Sequence, residues 1–176
     1  MPKQKPVNWQ YDEQAPLDLV LDLIKKYHSE IEGIVPIVMW RHNIKADPDG
    51  YVWLADVSKT PDKYRELREH DIIVGLNKDA WSFMDATQQA VVVDSLLERV
   101  AVSMDKQGNK KEDDKNRTIY RLRKERIVDD AVLQRRHGLL ISDVQEFINQ
   151  RFATAGAEEG SYVAQQLTED VVHSND

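Results

Sequence analysis

Residues 86–103, ATQQAVVVDSLLERVAVS, constrain the fold more than any other stretch. Ala86, Ala90, Val93, Leu97, Val100 and Met104 recur at helical spacing and form one apolar stripe. Gln88, Ser95 and Arg99 lie opposite, with Val92 and Leu96 on the flank. The spacing predicts a central buried helix that needs a partner layer to cover it.

The rest of the chain supplies such a layer. Residues 16–28 read as an amphipathic helix, with Pro16 in the first turn and Gly33 ending the segment. Residues 34–41 and 51–57 are strand candidates, and Asp47-Pro48-Asp49-Gly50 between them is a turn signal, so they read as a hairpin. Residues 61–69 suggest a short helix or a charged loop, and residues 71–76 a short buried strand. A polar loop spans 105–116, residues 117–123 alternate as a strand would, and 127–137 and 141–152 read as helices parted at Gly138. Helix, hairpin, strand, helix, loop, strand and helices indicate an α+β domain with a small antiparallel or mixed sheet. Residues 1–14 read as a polar arm, 15–152 as the domain, and 153–176 as an acidic, mobile tail.

Composition narrows the chemistry. The 176 residues include no cysteine, which removes disulfides, thiolate catalysis and cysteine-based zinc sites. No apolar run approaches the roughly 20 residues of a membrane helix. The opening MPKQKPVNWQ shows no signal segment, so a cytoplasmic location and no membrane partner are expected. Formal net charge is -7. Residues 104–126 run against it, with nine basic and five acidic side chains.

The order of several elements resembles the putative phage metallopeptidase family. The stretch VNWQYDEQAP and a helix ending Lys26-Tyr27-His28 resemble that family's start. Glu69-His70-Asp71-Ile72-Ile73-Val74, Asn77-Lys78-Asp79-Ala80-Trp81, Ala86-Thr87-Gln88-Gln89-Ala90 and Arg136-His137-Gly138-Leu139 follow in the family's order. The resemblance implies a small zincin-like domain, its sheet packed on the central helix and the C-terminal helices. It also implies an HExxH zinc motif on that helix, two histidines holding the metal and a glutamate activating water.

Here the equivalent positions are Ser95, Leu96 and Arg99, and a further family histidine aligns with Glu125. Serine is a poor neutral zinc ligand, leucine is no base, and a protonated arginine repels a dication. The histidines His28, His42, His70, His137 and His173 include no pair spaced for a helical ligand set. The reading is therefore a member without catalytic residues, metal or cofactor, which binds a host or phage macromolecule in the host cytoplasm. A metallopeptidase with a displaced or partner-completed metal site is the alternative.

Other residues carry weaker signals. Asp94 and Glu98 could hold a metal or perform acid–base work, but a solvated helix edge is the plainer reading. Arg99 and Glu125 would face each other if the old site's geometry survived. His137 reads as a structural histidine near a helix C-terminus. Arg117, Tyr120, Arg121, Arg123, Lys124 and Arg126 form a basic strand with an aromatic handle, suited to an acidic protein or, alternatively, nucleic acid.

Overall fold

The computed structural model describes residues 8–12, 16–67, 70–124 and 127–172, with side chains described for these residues except 8, 127–129 and 157–172. The strands are β1 (Asn8–Tyr11), β2 (Pro36–His42), β3 (Ala55–Lys59), β4 (Ile72–Asn77), β5 (Val100–Val102) and β6 (Tyr120–Leu122). The helices are α1 (Leu17–Tyr27), α2 (Asp62–Arg65), α3 (Lys78–Trp81), α4 (Ala86–Leu97), α5 (Ile127–His137) and α6 (Ile141–Val172). The α+β expectation holds.

The main sheet has the order β1-β2-β4-β3. β2 and β4 run parallel, with Val38 opposite Val74, while β1 and β3 flank them antiparallel. The expected hairpin of residues 34–41 and 51–57 does not form, because β4 lies between the two strands. β4 reads IIVGLN and is nearly all buried, so the sheet centre suits it better than a more polar strand. The turn at Asp47 is real, closed by Asp47 N–H donating to the Tyr51 carbonyl. The chain then runs on to Ala55 before pairing with β4. Residues 8–11, assigned to a polar arm in the sequence, pair with β2 as β1.

One face of the sheet carries the larger core. Val20, Leu23 and Ile24 of α1 and Val93 and Leu97 of α4 pack with Val38, Trp40, Val57, Val74 and Leu76. A second cluster joins Val91 and Val92 of α4 to Val144 and Ile148 of α6 and to Val52 and Leu54. α4 is thus buried on more than one stripe. Its start is fixed by a reciprocal cap: Gln88 N–H donates to Asp85 Oδ1 and Asp85 N–H donates to Gln88 Oε1.

α4 stops at Leu97, short of the expected 103. Val100, Ala101 and Val102 instead pair with Leu122, Arg121 and Tyr120, because this β-branched run fits a ladder as well as a helix. Met104, expected on the helical stripe, is 51% exposed beyond β5. The backbone of α6 continues helical to Val172, past the sequence boundary at Phe152.

Between β5 and β6 the chain makes two successive hairpins. Ser103 N–H donates to the Ile119 carbonyl, Lys111 N–H to the Ser103 carbonyl and Ile119 N–H to the Lys111 carbonyl. Each hairpin turns on an aspartate whose carboxylate accepts two backbone N–H groups. Asp105 takes those of Gln107 and Asn109, and Asp113 those of Lys115 and Arg117. Asp47 does the same with Asp49 and Tyr51. The residue three after each aspartate has positive φ: Gly50, Gly108 and Asn116, types that tolerate the left-handed region.

Candidate functional site: a buried aspartate behind a lined cleft

α4 presents two faces with different chemistry. Asp94 and Glu98 face α1 and α5, while Ser95, Leu96 and Arg99 face a cleft.

Asp94 is 0% exposed. His28, which ends α1, meets Asp94 Oδ1 through Nε2 at 2.5 Å. His137, the last residue of α5, meets Oδ2 through its own Nε2 at 2.7 Å. An ionised carboxylate only accepts, so both rings donate through Nε2. Arg136 Nη1 donates to Asp94 Oδ1 at 2.9 Å and to Glu98 Oε1 at 2.7 Å. The Arg136 guanidinium also lies 4.7 Å from the centre of the Tyr27 ring, which meets His137 edge-on.

Burial alone would push the Asp94 carboxyl up. The hydrogen bonds from His28 and His137 and the Arg136 charge outweigh it and hold the group below its ordinary 3.8. Arg136 is correspondingly held in its charged form: burial opposes the charge, and Asp94 and Glu98 more than offset that. The solvated edge expected for Asp94 and Glu98 is therefore incorrect for Asp94. α1 and α5 close over it, from parts of the chain 66 and 43 residues away. The structural reading of His137 fits its contact, and its partner is this carboxylate.

On the other face lies a cleft of about 470 Å³. Tyr51 and Trp53 form one wall, Leu133 and Ile141 another, and Ser95, Leu96 and Arg99 line it from α4. The three positions that the family resemblance assigns to zinc and its base thus share one cavity. The Ser95 hydroxyl donates to the Val92 carbonyl at 2.6 Å, and the described lining residues include no histidine and one carboxylate, Asp130. A zinc ion does not fit these three positions, which offer a hydroxyl, a methyl-tipped chain and a guanidinium, and Asp130 is the one anionic donor among the other described lining residues. Glu125 lies outside the described residues, and so does its pairing with Arg99.

Among the described residues, one His and carboxylate group has its ligand atoms within 4.8 Å of one another: His28, Asp94 and Glu98. The Arg136 guanidinium already bridges both carboxylates, so the cation in this position is a side chain.

The basic strand is only partly as expected. Tyr120 is 6% exposed, because it faces the core when β6 pairs with β5. Arg117 is tied to Asp113 and Glu66, which also takes Lys115. Neither is therefore available as a handle. Arg121, Arg123 and Lys124 surround an open recess, and Arg126 lies outside the described residues. No helix among the described residues is long and apolar enough to cross a membrane.

Sequence reasoning missed the roles of His28 and Arg136. Their signal was available in the helix end Lys26-Tyr27-His28 and in Arg136-His137-Gly138, both of which converge on Asp94. No curated protein and no solved structure matches the chain. The sequence profile of the family described as "Putative phage metallopeptidase" matches residues 8–151, so the chain belongs to that family.

Proposed function

We propose that this chain is a non-hydrolytic member of its family that acts by binding a host or phage protein. The observation that carries this reading is the cleft on α4, of about 470 Å³, in which Ser95, Leu96 and Arg99 are among the lining residues. A hydrolytic metal site needs neutral or anionic donors and a base beside a water. This lining offers one carboxylate, Asp130, with the Arg99 cation, the polar side chains of Tyr51, Ser142 and Gln145 and much apolar surface, a mixture that suits recognition better than zinc-assisted cleavage.

Behind the cleft, the polar groups that steady α4 remain fully engaged with one another. A framework held in place under a cavity whose motif positions are Ser95, Leu96 and Arg99 is what a reused fold requires. The competing reading, a displaced metal on His28, Asp94 and Glu98, would require expelling the Arg136 guanidinium from two carboxylates.

Metal analysis of untagged, purified protein tests the proposal, together with peptide hydrolysis assayed with added zinc. No stoichiometric metal and no hydrolysis are expected. Stoichiometric zinc, iron or manganese, or turnover with zinc, would overturn it. The variant S95H/L96E/R99H should fold, and it should hold zinc only when E125H is added.

A further inference from the structure

We propose that Arg121, Arg123 and Lys124 form a docking surface for a short acidic segment of a partner protein. The three lie within four consecutive residues at the end of β6 and border an open recess. Among the described residues none of the three forms an ion pair, whereas the neighbouring cations Lys115 and Arg117 are both neutralised by Glu66 or Asp113. Clustered cations left without internal partners repel one another, and an external anion relieves that repulsion.

The mounting is rigid. Arg121 points outward from β6 while Tyr120 and Leu122 pack toward the core, in register with Val102 and Val100. Arg123 is held by its backbone N–H, which donates to the Arg99 carbonyl at 2.6 Å. The backbone that carries the charges is therefore already ordered, and binding has only the side chains left to fix.

Charge distribution selects the partner class. A nucleic-acid strand needs a run of cations along its phosphates. Among the described residues three cations stand together here, in a chain of net charge -7 whose residues 127–176 carry nine acidic and three basic side chains. A long polyanion gains little from three cations in a chain of net negative charge. A short Asp- and Glu-rich segment of a folded protein meets only the recess. The inference concerns a surface separate from the α4 cleft, and it stands or falls independently of whether the cleft hydrolyses anything.

Fluorescence anisotropy with a short labelled Asp/Glu-rich peptide tests it on the full chain, beside a labelled single-stranded oligonucleotide. Peptide binding is expected to weaken with salt and to fall by roughly tenfold or more in R121E/R123E/K124E. It should change little in K25E/K26E/K45E, which reverses the same number of exposed lysine charges elsewhere. If the reversal variant fails to melt cooperatively, R121A/R123A/K124A makes the same comparison. Absent peptide binding, equal loss in both reversals, or tighter binding of the oligonucleotide would each overturn the proposal.

Discussion

Asp94 accepts a hydrogen bond at 2.5 Å from His28, a residue 66 positions earlier in the chain, with both side chains almost wholly removed from solvent. This contact joins the end of α1 to the middle of α4, and His137 and Arg136 add α5 to the same carboxylate. Three helices are therefore fixed through one side chain.

Removing that carboxylate strands its partners. Asp94→Ala leaves two imidazoles and a guanidinium around an empty position, and the expected loss is about 3–5 kcal/mol. Urea denaturation measures it. In a double-mutant cycle, Asp94→Ala and His28→Ala should be strongly non-additive. Simple addition would show that the two side chains are energetically separate.

The same carboxylate makes stability depend on pH in a defined direction. Its folded pKa lies below the ordinary 3.8, so the folded state binds the proton less readily than the unfolded chain. The stabilisation is complete above the unfolded value and is lost as pH falls through the folded one. Asp113, held down to about 2 mainly by the Arg117 backbone N–H, acts in the same sense. The urea midpoint of the wild type should drop more steeply below pH 3.8 than that of Asp94→Asn, and parallel profiles would contradict this.

Adjacent positions on α4 should respond oppositely to charge. Leu97 is fully buried in the sheet-facing core, whereas Leu96, a member of the same core at 6% exposure, also borders the cleft. Leu97→Asp buries an unpaired charge at a cost of several kcal/mol and should abolish the cooperative melt, and Val93→Asp should do the same. Leu96→Glu can turn its carboxylate into the cleft beside Arg99 and should still fold. Equal tolerance of Leu96→Glu and Leu97→Asp in thermal melts would mean that the two faces of α4 are misassigned.

Gly75 in β4 has little room. A Cβ there would sit 2.5 Å from Asp56 Oδ1 and 2.7 Å from the Trp9 ring. Gly75→Ala should therefore lift Trp9 from the sheet and cost about 1–3 kcal/mol. Tryptophan emission should report the change, because Trp9 stacks with Arg41 and meets Trp53 edge-on. An unshifted spectrum with unchanged stability would refute the packing argument.

Local signals in the sequence located most elements. Apolar spacing found α1 and the start of α4, and the unbroken apolar run found β4. What local signals do not encode is pairing. The insertion of β4 between β2 and β3 depends on which strand can be buried on both faces, a property of the assembled sheet. NWQY has too few apolar residues to announce β1, which owes its place to pairing with β2. At the site, Ser95, Leu96 and Arg99 could be placed on one helix face from their spacing. The burial of Asp94 could not, because its partners come from distant segments and spacing along α4 alone leaves it looking like a polar edge.

The two hairpins between β5 and β6 have a consequence for how this chain can vary. Ser103 and Ile119 are joined by a 2.8 Å hydrogen bond, so the segment between them leaves the domain and returns at the same point. Its turns are closed by its own aspartates, so much of its shape is specified by neighbours close in sequence. It can form early and at low chain-closure cost. Such a segment behaves as a cassette, able to be shortened or replaced while β5 and β6 keep their register. Exchange of this one piece gives the protein a new outer surface, as long as the contacts of Asp113, Arg117 and Thr118 with the buried Arg65 and with Glu66 are kept.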